Sequence, residues 1–319
     1  MTKPLGHNDK IDTLVKTLRQ NRLPNAFLFC GPRGVGKFTT ALYFAKLSAC
    51  TNAERNEWQP CEKCPACRKI DSENHPDIFV IKAENNCIKI GQIRELQQKL
   101  QFHPLESFIK LVIIDDADLM NEAASNSLLK VLEEPPTQTH FILTSSSPTK
   151  LLPTIRSRCQ SLSFQPLNKE SIADFLIREK QIDREQATRI AKFSAGSIGY
   201  SLGLEPELID EVMLRLNVLS KRSTSADIFE TASGWAGLEN DKIRIIVDIL
   251  ASFYMDIYRF HSTGDVSTLI HPESESACQK IGPAKAEKNI FEIEAVRKGL
   301  EGNANKQLMF EQLLFTLTA

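Results

Sequence analysis

The sequence predicts an α/β protein whose first half holds a parallel β-sheet and whose second half is helical. Short apolar runs alternate with helical patterns in the first half, at residues 26–29, 78–81, 111–114 and 140–143. Such runs are typical of parallel strands that are covered on both faces. A glycine-rich segment follows the first run directly, and strand patterns fade after about residue 167. We therefore expect a doubly wound sheet followed by helical domains.

Composition argues against a strongly basic DNA-binding protein, a secreted protein and a membrane-spanning protein. The chain has 319 residues, of which 42% are hydrophobic and 25% charged, with a formal net charge of -1. This length suggests two or three domains, and so small a charge does not support tight DNA binding by bulk electrostatics. The start lacks the apolar core of a secretory signal, and no apolar run reaches the ~18 residues that span a bilayer. A cytoplasmic protein with reduced cysteines is expected.

The glycine-rich segment has the pattern of a phosphate-binding loop between a strand and a helix. Its defining residues are Gly31, Pro32, Gly34, Gly36 and Lys37. Glycines let backbone N–H groups approach phosphate oxygens, and the following helix adds the partial positive charge of its N-terminus. The lysine would contact the outer phosphates.

The next position departs from that pattern. A magnesium-binding loop needs a Ser or Thr hydroxyl there, but the residue is Phe38, which has no side-chain oxygen. Thr39 is a poor substitute, because one step along a helix rotates a side chain by about 100°. The sequence predicts a loop that can cradle phosphate and holds magnesium poorly. A working ATPase that tolerates Phe38 stays open as the alternative.

Acidic residues end the third apolar run. Asp115 and Asp116 follow residues 111–114, with Asp118 close behind. Ligands of α/β sheets bind at the carboxyl ends of strands, so Asp115 is expected to face a metal there. The alternative is that these acids only end the strand and open a turn.

Four cysteines have the spacing of a metal site. Cys50, Cys61, Cys64 and Cys67 are separated by ten, two and two residues. Zn²⁺ takes four thiolates in a tetrahedron, and a site closed by four cysteines is typically structural. We predict a structural zinc ion, with reduced or redox-active thiols as the alternative. The remaining cysteines are expected to be packing residues: Cys30, Cys87, Cys159 and Cys278.

The second half carries helix signals. Asn168 and Asp183 can cap two helices of a small unit that ends near Gly196. Between residues 243 and 260 apolar residues recur every three or four positions, which indicates one face of a long helix. This face could belong to an ordinary core or could pack against sister subunits.

Several motifs together resemble one family, the bacterial clamp-loader ATPases. They are the phosphate loop with its four-cysteine insert, His75-Pro76-Asp77, residues 90–96, residues 124–136, Ser157-Arg158-Cys159 and, in the tail, residues 303–308. The resemblance implies an AAA+ nucleotide-binding domain at residues 1–166 with a zinc module at 50–67. A helical lid domain at 167–207 and a helical collar domain at 208–319 would follow.

The resemblance also implies partners. The family assembles a five-subunit ring, which would contain gamma or tau and delta subunits beside this chain. That ring opens a sliding clamp and places it on primer-template DNA. DNA contact would be shared around the ring, which agrees with the near-neutral charge of this chain.

Departures from the family's motor members point to a largely passive subunit. Phe38 lacks the magnesium ligand, Asp116 stands where the motors carry a water-positioning Glu, and Gly199 stands where they carry a phosphate-sensing Arg. Little or no independent ATPase activity is expected, and binding of ATP with Mg²⁺ should be weak or absent. The alternative is an ATP-hydrolysing motor like gamma or tau. The first sensor position is ambiguous between Ser145 and Ser146.

Arg158 is the residue for which the resemblance implies a catalytic role, in the active site of a neighbouring subunit. A guanidinium is permanently charged and can meet two phosphoryl oxygens at once. The alternative is an ordinary salt bridge, which Arg156 could make equally well. A third hypothesis, a zinc-dependent nucleic-acid-binding module, is disfavoured because the insert has no basic stripe.

Overall fold

The computed structural model describes most of the chain, at residues 3–53, 57–222, 224–266, 269–271, 274–300, 302 and 304–318. Residues 54–56 of the predicted zinc module and Asn303 of the tail motif lie outside the described residues, as do the chain ends at 1, 2 and 319. The chain divides into two compact units. One comprises Met1–Ile172 and Ala195–Tyr200, and the other comprises Ala173–Ser194 and Ser201–Ala319.

The first unit is built on a five-stranded sheet in the order β2-β3-β4-β1-β5, and all neighbouring strands are parallel. The strands are β1 (Ala26–Cys30), β2 (Ile78–Ile81), β3 (Lys110–Ile114), β4 (Thr139–Ser145) and β5 (Gln160–Ser163). The four predicted strands are confirmed. The fifth was not predicted, because it is a polar edge strand whose residues are mostly exposed.

Helices cover both faces of this sheet. They are α1 (Asn8–Arg19), α2 (Lys37–Ala49), α3 (Pro65–Asp71), α4 (Ile90–Leu100), α5 (Glu122–Glu133) and α6 (Pro153–Arg156). Alternate side chains of β3 enter different hydrophobic clusters. Val112 and Ile114 pack with residues of α4 and α5, and Leu111 and Ile113 pack with residues of α1 and α2. This two-sided burial is why the strands appear as continuous apolar runs in the sequence.

Two helices begin in the first unit and continue into the second, α7 (Lys169–Lys180) and α9 (Ile198–Gly203). The regular secondary structure of the second unit, in its described residues, is all helical. It contains α8 (Arg184–Phe193), α10 (Pro206–Arg222), α11 (Ser225–Ala236), α12 (Asn240–Thr263), α13 (Ser274–Cys278), α14 (Pro283–Leu300) and α15 (Lys306–Thr318). Both predicted caps are confirmed: the carboxylate of Asp183 accepts the N–H of Gln186, and the side chain of Asn168 accepts the N–H of Glu170, each at 2.8 Å.

The periodic face of α12 is buried within the second unit. Its buried members include Ile243, Ile246, Leu250, Phe253 and Ile257, and α12 packs against α14. This burial supports the simpler interpretation, an ordinary core face. The two domain boundaries, at 166/167 and 207/208, stay predictions. In the described part of the chain, no helix combines the length and the hydropathy needed to cross a membrane.

Candidate functional site

The phosphate-loop residues lie together between β1 and α2. Gly34 and Gly36 adopt left-handed backbone conformations, with φ of +75° and +105°, and α2 begins at Lys37. A Cβ atom at Gly31 would lie 2.3 Å from the carbonyl oxygen of Phe164. The loop therefore needs glycine both for its turns and for its approach to the segment after β5.

Lys37 cross-links the loop to itself. Its Nζ donates to the carbonyl oxygens of Gly31 and Pro32, both at 2.8 Å, and the residue is only 5% exposed. Burial lowers the pKa of its ammonium group, while the nearby carboxylates of Asp116 and Asp115 act in the opposite direction. The lysine thus lies between the loop and the acidic end of β3.

The side chain of Phe38 is part of the packing of the domain. It is partly buried against the hydrophobic cluster around α2. The Nζ of Lys82 lies 5.3 Å from the centroid of the Phe38 ring, and the same Nζ is paired with Glu73 at 2.6 Å. Position 38 therefore makes apolar and cation–π contacts where a magnesium loop would offer a hydroxyl. The hydroxyl of Thr40 donates to the carbonyl oxygen of Gly36 at 2.8 Å.

The acidic end of β3 is bonded to the end of β4 through a residue that was not predicted. The hydroxyl of Thr144 donates to Oδ1 of Asp115 at 2.7 Å and accepts the backbone N–H of Asp116 at 2.9 Å. Burial, helped by the charge of Asp115, raises the pKa of the Asp116 carboxyl. The register pairs Ile114 with Leu143, which places Asp115 beside Thr144.

The two serines considered for the first sensor differ in their contacts. The backbone N–H of Ser146 donates to Oδ1 of Asp118 at 3.1 Å. The hydroxyl of Ser145 accepts the N–H of Ser147 at 3.1 Å. Thr144, which precedes both serines, is the hydroxyl that contacts Asp115 and Asp116.

Gly199 lies directly on the phosphate loop. Its N–H donates to the carbonyl oxygen of Gly34 at 2.8 Å. A Cβ atom at Gly199 would lie 3.0 Å from the Cα of Gly34, and one at Gly34 would lie 2.3 Å from Oγ of Ser197. The Nε2 of His7 lies 2.8 Å from the carbonyl oxygen of Val35. Ser197 and His7, two further supports of the loop, were not predicted, because nothing local in the sequence marks them.

The four cysteines converge as predicted. Their sulfur atoms all lie within 4.8 Å of one another, and Sγ of Cys64 is 4.0 Å from Sγ of Cys50. A tetrahedron with Zn–S bonds of about 2.3 Å places sulfurs about 3.8 Å apart. The N–H groups of Cys61, Cys64 and Cys67 each donate to the sulfur of the preceding cysteine, at 3.3–3.5 Å. The cluster is therefore compatible with a structural zinc site.

The environment of the cluster favours a thiolate at one ligand and fixes the module to the domain. A hydrogen bond from the backbone N–H of Lys63 is the main cause that lowers the pKa of Cys61 to about 6, whereas burial raises the pKa of Cys67. The Nζ of Lys46 in α2 pairs with Asp71 in α3 at 2.7 Å. This ion pair joins the helix after the phosphate loop to the helix that carries Cys67.

Asp77 of the His-Pro-Asp motif has a structural role. It is buried, and its carboxylate accepts the N–H groups of Leu105, Glu106 and Ser107, each at 2.7 Å. Three N–H donors satisfy the hydrogen-bonding capacity of this buried carboxylate. The motif thus fastens the loop between α4 and β3 to the start of β2.

Arg158 lies at the turn between α6 and β5. Its Nη2 pairs with Oε1 of Glu133 at 2.8 Å, and its Nη1 donates to the carbonyl oxygen of Thr154 at 3.1 Å. The side chain keeps 37% of its surface exposed. Arg156 has different surroundings, because its charge acts on the thiol of Cys30, where it opposes the increase in pKa that burial causes. The two arginines are therefore not equivalent.

Comparison with known proteins assigns the chain to a family. A family model described as "DNA polymerase III, delta subunit" matches residues 6–168. The delta-prime subunit of DNA polymerase III from Bacillus subtilis is 34% identical over 315 residues, which cover 95% of this chain and 94% of that protein. The chain belongs to the delta-prime family of DNA polymerase III subunits. The delta-prime subunit of Escherichia coli is 26% identical over 96% of this chain and 92% of its own length.

Tau subunits match a smaller part of this chain. The tau subunit of Bacillus subtilis is 37% identical over 182 residues, which cover 57% of this chain and 31% of tau. A gamma subunit-related protein of Thermotoga maritima shares the fold, with a TM-score of 0.50 and 18% identity over 97% of this chain and 99% of that one. The resemblance to clamp-loader subunits is thereby confirmed. The likeness to the delta-prime subunit of Bacillus subtilis extends over 95% of this chain, whereas the likeness to tau covers 57% of it.

Proposed function

We propose that this delta-prime chain is a clamp-loader ring component that hydrolyses little or no ATP itself and supplies Arg158 to a neighbouring gamma or tau site. The observation that carries the first part is the direct contact between Gly199 and Gly34. A motor would project a phosphate-sensing arginine from this position, but here the backbone itself lies on the loop. A phosphate-sensing side chain at 199 would have to displace that contact.

Three further features of the site support weak or absent binding and hydrolysis of ATP with Mg²⁺. The ring of Phe38 stands in place of the metal-binding hydroxyl. The ammonium group of Lys37 is engaged by two carbonyl oxygens of its own loop. Asp116 is one methylene shorter than the glutamate of the motors, so its carboxylate reaches less far towards an attacking water. These features respectively oppose three requirements of hydrolysis: binding of the metal ion, contact with the phosphates and positioning of the attacking water.

The proposed partners follow from the same assignment. The ring would contain five subunits, with gamma or tau and delta beside this chain, and would open a sliding clamp on primer-template DNA in the cytoplasm. A net charge of -1 supports a shared DNA contact, because one near-neutral subunit releases few counterions when it binds phosphates. A gamma- or tau-like motor is the second candidate, which the phosphate loop and the acids of β3 support.

Reconstitution tests the proposal. The purified chain is mixed with a gamma or tau subunit and a delta subunit, and the mixture is analysed by size-exclusion chromatography with light scattering. We expect one stable complex that contains this chain, and clamp-stimulated ATP hydrolysis only in the complete mixture. If the isolated chain hydrolyses ATP as fast as the complex, the motor is the better assignment.

We also predict one tightly bound zinc ion per chain. Converging thiolates at these distances fit zinc, and a site of this kind contributes directly to the stability of its module. Metal analysis of protein purified without added zinc should give about one equivalent. Substitution C64S should reduce that content to a small fraction and expose the module to proteolysis, while the far-ultraviolet circular dichroism of the chain changes little.

The matched control is C87S. Cys87 lies outside the cluster, in a turn where its backbone pairs with Glu84, so zinc content should not change. Protein that carries no zinc, and whose Cys61 and Cys64 are alkylated rapidly in the native state, would contradict the site.

A further inference from the structure

We propose that Glu133 is the positioning residue of Arg158: it holds the guanidinium in the direction from which it reaches the neighbouring site. The inference rests on the proposed function. It starts from the pairing of Arg158 Nη2 with Glu133 Oε1 at 2.8 Å, which joins residues 25 positions apart in the sequence. Glu133 lies in the motif at residues 124–136, but the sequence alone did not indicate its contact with Arg158.

The backbone on the arginine side is fixed. Arg158 donates its N–H to the carbonyl oxygen of Ile155 at 3.1 Å, and Ser157 donates to that of Pro153 at 2.9 Å. Ile155 is fully buried in the cluster that also contains α5. With the Cα of Arg158 held by this turn, the orientation of its long side chain is the remaining freedom.

The glutamate side is equally fixed. Glu133 is the last residue of α5, and the preceding Val131 and Leu132 are buried in the same hydrophobic cluster. Asn121 caps the other end of the helix by accepting the N–H of Ala124 at 2.8 Å. The carboxylate of Glu133 therefore projects from a rigid helix end towards a rigid turn, and their pair defines one direction for the guanidinium.

The pair leaves the arginine able to act elsewhere. A guanidinium carries five N–H donors. Nη1 donates to the carbonyl oxygen of Thr154, and Nη2 forms an ion pair with Oε1 of Glu133, so at least three donors are not used by these two contacts. The contact with Glu133 uses one carboxylate oxygen only, unlike the bidentate pair that would occupy a full edge of the guanidinium. The ion pair therefore orients the guanidinium of Arg158 and still leaves N–H donors available for another partner.

Energetics agree with a positioning role. A half-exposed ion pair contributes little to folding stability, and the side chains of Arg158 and Glu133 are 37% and 44% exposed. A long arginine side chain loses rotamer entropy when it docks in a neighbouring site. The ion pair with Glu133 restricts the side chain before the ring assembles, so less entropy is lost at docking. Loss of the pair should therefore reduce turnover and leave folding unchanged.

The test compares E133A, E133Q and the control E134A in the reconstituted complex with gamma or tau and delta. Glu134 is adjacent, has the same charge and makes no side-chain contact that the described residues show. For E133A we expect kcat for ATP to fall about two- to fivefold with KM for ATP and complex yield unchanged, a size typical of one exposed ion pair. E133Q keeps an oxygen acceptor and should recover part of the loss, and E134A should match the unmodified ring.

A double variant separates this inference from the proposed function. In the R158A background, E133A should cause no further loss, because its effect passes through Arg158. Equal rates for E133A and E134A, a higher rate for E133A, or additive losses in the double variant would overturn the inference alone. A ring whose rate R158A does not change would overturn the proposed function and the positioning role with it.

Discussion

Replacement of Arg158 by alanine is expected to slow ATP hydrolysis at the neighbouring gamma or tau site by about 10²-fold or more. Hydrolysis spreads negative charge over the transferring phosphoryl oxygens, and a permanently charged planar guanidinium can meet two of them at once. Arg158 is available for this role because it keeps 37% of its surface exposed and at least three N–H donors that its contacts with Glu133 and Thr154 do not use. Single-turnover hydrolysis in the reconstituted ring measures the effect.

Arg156 provides the control. It lies two residues away, with equal charge, but its charge acts on Cys30 of its own chain. R156A should therefore be the milder change. Both variants should keep complex yield and zinc content, and R158A should also slow clamp loading. Wild-type clamp loading by R158A rings would reduce this chain to a scaffold.

A turnover of about 1 s⁻¹ is the lower end of the range typical of kinases. The isolated chain is expected to hydrolyse ATP at least about 10²-fold more slowly than that. The deficit has several causes at once: the ring of Phe38 packs into the domain, Lys37 is bonded to its own loop, and Gly199 lies on Gly34. A steady-state assay with Mg²⁺, compared with a chain carrying K37M, measures the rate. A magnesium-dependent turnover near 1 s⁻¹ that K37M abolishes would contradict this account.

Single substitutions that restore one motor-like residue are not expected to restore ATP hydrolysis. F38T restores a hydroxyl but removes a ring that packs against the core and under Lys82, so it should reduce stability and leave hydrolysis near background. G199R should be worse, because even a Cβ atom there lies 3.0 Å from the Cα of Gly34. We expect a lower melting temperature for G199R with no gain in hydrolysis. Substantial activity from either single variant would show that the remaining contacts do not limit the site.

Local patterns were enough for the parts of the fold that local chemistry determines. Continuous apolar runs identified four strands because both faces of the sheet are buried, and they missed β5 because an edge strand paired on one side can be polar. Cysteine spacing located the four-cysteine cluster, since short chelating steps act within one loop. Cap residues such as Asp183 were identified for the same reason.

Contacts between residues far apart in the chain could not be predicted from the sequence. Thr144 contacts Asp115 only through the register of β4 on β3, and Glu133 meets Arg158 only because α5 ends beside the turn after α6. The sequence shows that position 199 holds glycine where the motors carry arginine, but it does not show which contact this glycine makes. Only the folded chain shows that the backbone at this position is bonded to the phosphate loop.

The central claim is that this chain contributes an arginine and no ATPase site of its own. The most direct measurement compares the clamp-stimulated ATPase of reconstituted rings in which only this chain carries either K37M or R158A. We predict that the K37M ring assembles and hydrolyses ATP at the unmodified rate, and that the R158A ring assembles but loses the turnover of the neighbouring site. Loss of that turnover with K37M, and an unchanged rate with R158A, would contradict the account.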